Sequence, residues 1–273
     1  MNRKNLLHLL LIGASLTTSL TTAPAQLPAW QEKPWLGYFV GSDRRTFAIG
    51  INPDGVIELE IKSSNGTRMG FSKAILIAPT VMAESEKGWT TLQKVKDSLS
   101  TTDKATDKPT KVTYRGKVTG GVEYEVIVEF DRDKISFGGR IVDKGTTTKP
   151  LKFQTRCRFQ QPYQRVDPDK EKTKLSKDKI KFVRIDKKKD SCGIIDSVNF
   201  ADTEKFGPLS AVEVEMYAYG KPRLLFSSSG RTPIVLQNPN FEPLSPMKGF
   251  VIALEHDPVK DPNGNDRLIF EAK

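Results

Sequence analysis

The chain has 273 residues, of which 37% are hydrophobic and 28% charged, with a formal net charge of +10. A lean apolar content with so many charges excludes a polytopic membrane protein and points to strands with one wet face, not strands buried on both. Two cysteines and two histidines exclude disulfide-dense scaffolds and most metal or histidine-based chemistry from the outset.

The chain begins with Arg3 and Lys4, an apolar run from Leu6 to Leu16, and Ala23-Pro24-Ala25. This is the order of an export signal with a small-residue cleavage site, and the apolar run is well short of the roughly 20 residues needed for a permanent span. Residues 1–25 are expected to be a signal peptide. The remainder is expected to be exported, periplasmic or extracellular, with no stable membrane span.

Residues 35–61 carry a pattern that recurs along the chain. Phe47, Ile49 and Ile51 alternate with small residues, Ile57, Leu59 and Ile61 alternate with Glu58 and Glu60, and Asn52-Pro53-Asp54-Gly55 supplies turn chemistry between them. A three-stranded meander is predicted. The spacing of Trp89, Leu92, Val95 and Leu99 predicts one short amphipathic helix over 88–99, lying as a lid on the β core. The meander pattern returns at 122–130 and 135–141, turned at Asp131–Lys134, with Gly138-Gly139 marking a bulge or tight bend. The strand 151–159 places Leu151, Phe153, Cys157 and Phe159 inward and Lys152, Gln154, Arg156 and Arg158 outward.

Residues 170–189 hold ten cations against three acids, a net of +7, so most of the positive excess sits in one segment. Its apolar-poor first part reads as a charged linker over 166–179, between an N-terminal β domain (26–165) and a C-terminal β domain (180–273). The second domain is expected to end in a hairpin pairing 250–254 with 268–270. The fold class expected is all-β: two antiparallel domains of sandwich or small-barrel type, with the one helix in the first.

Chemistry is sparse. No G-x-S-x-G or H-E-x-x-H occurs, Ser176-x-x-Lys179 falls inside the charged linker, and His256 is the one histidine beyond the leader, expected at the surface beside Asp257. Three candidate arrangements remain. Lys152, Arg156, Arg158, Lys181, Arg184, Lys187, Lys188 and Lys189 form a candidate polyanion-binding set, suited to acidic polysaccharide or another polyanion. Asp261, Asn263 and Asn265 fall at the 1, 3, 5 spacing of calcium loops, but Asp266 stands where such loops need Gly and Ala272 where they need Glu, so a plain Asx and Gly hairpin loop with no cofactor is expected, with calcium as the alternative. Glu58 with Glu60, Glu123 with Glu125, and Glu213 with Glu215 are carboxylate pairs about 6.6 Å apart along strands, which suits an inverting glycosidase or a wetted sheet face. Cys157 and Cys192, in an oxidising compartment, are expected to form a disulfide worth roughly 3–4 kcal/mol.

The leading expectation is a non-catalytic exported β protein of the cell envelope or extracellular space that binds an acidic partner or polysaccharide. The alternatives are a carbohydrate-processing hydrolase using a carboxylate pair, or a calcium-stabilised adhesin-like module. Two carboxylates in one cleft beside a Trp or Tyr would favour the hydrolase.

Overall fold

The computed structural model describes residues 26–62, 66, 74–159, 177–193, 206–217, 222–237, 250–256, 258–259 and 261–273. The expected leader and most of the expected linker, including Ser176, lie outside these residues.

The alternating sequence forms sixteen strands: β1 (Val40–Asp43), β2 (Phe47–Ile51), β3 (Ile57–Ile61), β4 (Ile75–Ser85), β5 (Gly88–Thr91), β6 (Lys111–Val118), β7 (Val122–Asp131), β8 (Lys134–Asp143), β9 (Leu151–Arg158), β10 (Lys179–Arg184), β11 (Lys189–Gly193), β12 (Leu209–Glu215), β13 (Arg223–Ser228), β14 (Ile234–Gln237), β15 (Val251–His256) and β16 (Leu268–Ala272). They join in one curled antiparallel sheet in the order β1-β2-β3-β4-β9-β15-β14-β12-β13-β16-β8-β7-β6, with β5 added beside β4 and β10-β11 beside β12. The sheet folds where β14 meets β12 through the single pair Leu209 and Ile234. That fold makes two layers, one running from β1 to β14 and the other from β12 to β6.

The layers meet through the apolar half of each alternation. Phe47 of β2 packs edge-on against Phe270 of β16 with centroids 5.2 Å apart, Phe159 meets Phe226 of β13 at 5.8 Å, and Phe153 of β9 meets Tyr124 of β7 at 6.3 Å. Each fully buried ring contributes about 1.5–3 kcal/mol of transfer free energy, so this seam holds the two layers together. Gly139 permits the last contact: a Cβ there would lie 2.2 Å from the Glu125 carbonyl and 2.6 Å from Phe153 Cζ. The expected role of Gly138-Gly139 as a bulge is thus replaced by close approach, and the register shift falls between Glu123 and Tyr124.

The β2–β3 hairpin forms as expected. Asn52 Oδ1 accepts from the Asp54 and Val56 amides at 3.0 Å, and Gly55 adopts φ +69°. Three other expectations are corrected. Residues 88–99 open as strand β5, not a helix; Thr90 and Thr91 are β-branched, and Trp89 pairs across to Glu84. The described residues are almost devoid of helix. The division into two β domains does not match the pairing, because β9 hydrogen-bonds to β15 and β8 to β16, each joining the first half to the second. Strands β15 and β16 are not each other's hairpin partners either. The loop between them crosses from one layer to the other, so β15 pairs with β14 and β9 while β16 pairs with β13 and β8.

Candidate functional site

Register decides what each glutamate pair does. On the outer face of the second layer, the acidic residues of one strand stand opposite the basic residues of the next. Glu123 meets Lys117 at 2.6 Å, Glu129 meets Lys111 at 3.1 Å, and Glu271 meets Lys134 at 3.0 Å. Glu125 is clamped between two arginines: Arg115 donates to Oε2 through Nε and Nη2, and Arg140 Nε donates to Oε1 at 3.1 Å. Arg223 grips Glu213 through bonds of 2.9–3.0 Å, and Lys181 donates to Glu215 at 2.5 Å. The Lys181 bond holds the Glu215 carboxyl below its ordinary range. These charges are spent on one another, the usual use of a wet sheet face. A groove of about 570 Å³ over β10, β12 and β13 is lined by three of these residues, Lys181, Glu213 and Glu271, together with Lys189, Asp190 and apolar side chains such as Phe182 and Phe226.

Glu58 and Glu60 lie in the first layer, where the environment differs. Glu60 is 1% exposed, and Glu58 is half-buried and accepts a hydrogen bond of 2.9 Å from the Tyr38 hydroxyl. Tyr38 in turn stands edge-on to Trp35, with centroids 5.5 Å apart. Both rings lie against bare sheet. Gly41 and Gly50 are cross-strand partners, and a Cβ on Gly41 would sit 2.0 Å from Trp35 Cγ, one on Gly50 2.6 Å from Tyr38 Cε1. Two glycines at outward strand positions form the platform for an aromatic pair beside a carboxylate pair.

The rest of that outer face is set by register. Glu58 is level with Leu76 of β4, Arg158 of β9 and Val251 of β15; the next row is Ala78, Arg156 and Ala253; the next is Thr80, Gln154 and Glu255. Glu255 Oε1 accepts from Lys152 Nζ at 3.3 Å and from Gln154 Nε2. Lys152 Nζ also lies 4.4 Å from the centroid of Trp89, which is 40% exposed. Burial, and then the neighbouring Arg158, pull the Arg156 guanidinium below its ordinary value, and Glu255 partly offsets them. Arg156 Nε and Gln154 Oε1 are buried without a hydrogen-bond partner among the described residues. Three carboxylates, three cations and aromatic rings at both ends therefore share one face of one layer.

The cations expected to form one polyanion surface are divided. Lys152, Arg156 and Arg158 belong to β9 on the first layer, whereas Lys181 and Arg184 belong to β10, with Lys187, Lys188 and Lys189 in and after the β10–β11 turn. Lys181 is neutralised by Glu215 and Glu213, Lys188 lies 3.4 Å from Asp186, and Lys187 turns the hairpin at φ +67°.

The two cysteines are not disulfide-bonded, which corrects the expected bridge. Cys157 is buried in the first layer between Ile77 and Ile252, while Cys192 sits on β11 opposite Ile180, its thiol 3.9 Å from the Ile180 carbonyl. Burial pushes the Cys157 thiol well above its ordinary value.

His256 is buried, 3% exposed, against the Phe153 ring and not at the surface as expected. Burial pulls its pKa down to about 4, against the opposing pull of Asp261, whose Oδ2 lies 3.6 Å from Nδ1. Asp261 itself is raised by burial but held below its ordinary value on balance, because the amides of Asp266 and Asn265 and the imidazole favour the carboxylate. Its two oxygens accept from Asn265 N at 2.7 Å and Asp266 N at 2.8 Å, which folds the loop holding Asn263 as an Asx-capped turn. Among the described residues, no three Asp, Glu, His or Cys side chains are grouped to hold a metal ion.

The sequence pattern places Glu58 and Glu60 on one strand face and Lys152, Gln154, Arg156 and Arg158 on another, but gives no sign that Tyr38 and Glu255 stand beside them. The signal available was Gly41 and Gly50, outward-facing glycines in strands that need something laid over them.

No family model matches the chain, and no curated protein does. Solved structures are similar in outline. A bacterial glucoamylase complexed with acarbose aligns at TM-score 0.46 and 8% identity over 92% of this chain. A candidate aldose 1-epimerase from Escherichia coli K12 aligns at 0.43 and 8% over 86% of this chain and 98% of its own. The Slr1438 protein from Synechocystis sp. PCC 6803 aligns at 0.41 and 9%, over 80% of this chain and 92% of its own. The chain spans 34% of the glucoamylase's length. The two neighbours described by activity are carbohydrate-processing enzymes, as in the alternative expectation and not the leading one. At this level the likeness is one of β-sheet outline, and the case for chemistry rests on this chain's own residues.

Proposed function

We propose that this chain is an exported carbohydrate-processing hydrolase whose working surface is the outer face of the first layer. One observation carries the reading. Glu58, half-buried, accepts from the Tyr38 hydroxyl beside Trp35, and Glu60, two residues on along the same strand face, is buried.

Glycosidic hydrolysis needs two carboxyl groups. One takes a proton from the attacking water as its oxygen bonds to the anomeric carbon. The other gives a proton to the leaving oxygen as the glycosidic bond breaks. Residues two apart on a strand stand about 6.6 Å apart on one face, within the range that leaves room for that water. Glu58 suits the base role, because the Tyr38 hydroxyl donates to Oε2 and leaves Oε1 to accept from water. Glu60 is assigned the proton to the leaving oxygen. Trp89, half open to solvent on the same layer, gives a flat apolar face of the kind sugar rings stack on.

The test is release of reducing ends from a panel of oligosaccharides and polysaccharides by the chain lacking residues 1–25. Glu58→Gln and Glu60→Gln should each cut the rate by about a hundredfold or more, the scale of losing a positioned acid or base. Glu123→Gln and Glu213→Gln should leave it unchanged. Equal losses in all four variants, or in none, would remove the assignment.

A further inference from the structure

We infer that the saccharide taken by this face is acidic, carrying a carboxylate or sulfate that Arg156 binds while Gln154 accepts a neighbouring hydroxyl. The inference rests on the reading of the first layer as a carbohydrate site and adds the substrate's chemical class.

Arg156 and Gln154 are two apart on β9 and point to the same side, about 6.6 Å from each other. Arg156 stands between Ala78 of β4 and Ala253 of β15, so its cross-strand neighbours are both single methyl groups. Small flanks leave room on the sheet face for the partly buried guanidinium. Its Nε is buried with no acceptor among the described residues, and the carboxylate nearest in register, Glu255, is already occupied by Lys152 and Gln154. Arg158, the next outward residue on β9, adds a second positive charge that weakens the first. Two guanidinium groups on one strand face, one of them desolvated, are relieved by an anion placed between them.

Gln154 sets the other half of the requirement. It is 1% exposed, its Nε2 donates to Glu255, and its Oε1 has no donor among the described residues. A buried donor and a buried acceptor side by side do not fit sulfate or a phosphodiester linkage, which offer acceptors alone. An acidic sugar offers both: an anionic group for Arg156 and a hydroxyl hydrogen for Gln154. The Lys152 ammonium, level with Met82, and Trp89 beneath it, level with Glu84, continue the same face along the strands.

Binding is measured by calorimetry with the chain lacking residues 1–25, using an oligouronide, the same oligomer after reduction of its carboxyl groups, and sodium sulfate. The oligouronide should bind at least tenfold more tightly than its reduced form, and sulfate alone should bind weakly. Arg156→Gln should abolish that preference, a loss of one charge-assisted contact worth about tenfold or more. Gln154→Leu should weaken both oligomers alike. Circular dichroism and melting of each variant show whether it folds; if Arg156→Gln does not, Arg158→Gln carries the same test. Tighter binding of the reduced oligomer would overturn the inference and leave the carbohydrate reading standing. Binding of neither would overturn both. An oligouronide preference that survives both arginine variants would overturn the role given to β9.

Discussion

Acid should destabilise this protein through one residue before its carboxylates titrate. His256 is buried against Phe153, and its pKa falls from an ordinary 6.5 to about 4. The groups that face it are Asp261 and Asp266, which favour the charged ring, and Arg267, which opposes it; burial outweighs them. A histidine whose folded pKa is depressed takes up its proton in the unfolded chain first. Stability is therefore complete above about pH 6.5 and is lost as pH falls towards 4. The loss, at 1.36 kcal/mol per unit, is about 1.4 kcal/mol at pH 5.5 and about 3 kcal/mol at pH 4. Asp261 acts in a lower window, since its folded pKa is already below 3.8, so its contribution fades only as pH falls through and below that value. Urea unfolding at pH 7.5, 6.5, 5.5 and 4.5 measures the loss. In His256→Gln the decline between pH 6.5 and 4.5 should flatten, whatever that variant's absolute stability. Parallel wild-type and variant curves would refute the reasoning.

Packing and covalent chemistry give two more expected outcomes. Gly41→Ala places a methyl group inside the Trp35 ring, and Gly50→Ala one against Tyr38. Each should cost about 1–3 kcal/mol in unfolding free energy and shift the tryptophan emission of the folded protein; unchanged stability and emission would mean the rings do not rest on that platform. Under denaturing conditions without reductant, two thiols per chain should react with a maleimide reagent, and pretreatment with reductant should add none. Fewer than two before reduction would restore the Cys157–Cys192 bridge.

Much of the fold was legible because period-two alternation is a local signal. Phe47, Ile49 and Ile51 face inward whatever lies beyond them, and Asn52-Pro53-Asp54-Gly55 turns the chain with its own side-chain oxygen. Pairing is not local. The order Phe250–Leu254 followed by Leu268–Phe270 suggests a hairpin, yet Ile252 pairs with Cys157 and Phe270 with Ile135, because the intervening loop passes between layers. The same long-range register hid the composition of the site. That Gln154 lies beside Glu255 depends on β9 meeting β15, more than a hundred residues away, and no spacing rule contains it. The glutamate pairs show the limit most plainly. Glu58/Glu60, Glu123/Glu125 and Glu213/Glu215 are indistinguishable as strings, and only the long-range arrangement sets Tyr38 beside Glu58, two arginines around Glu125 and Arg223 against Glu213.

The measurement that bears most directly on the account is the position of a bound oligosaccharide, read by amide hydrogen exchange with and without saturating ligand. Protection should concentrate on β3, β9 and β15, around Glu58, Gln154, Arg156 and Glu255. Protection confined to the second-layer groove over β10, β12 and β13 would contradict it and move the site to the face where Lys181 and Glu213 stand.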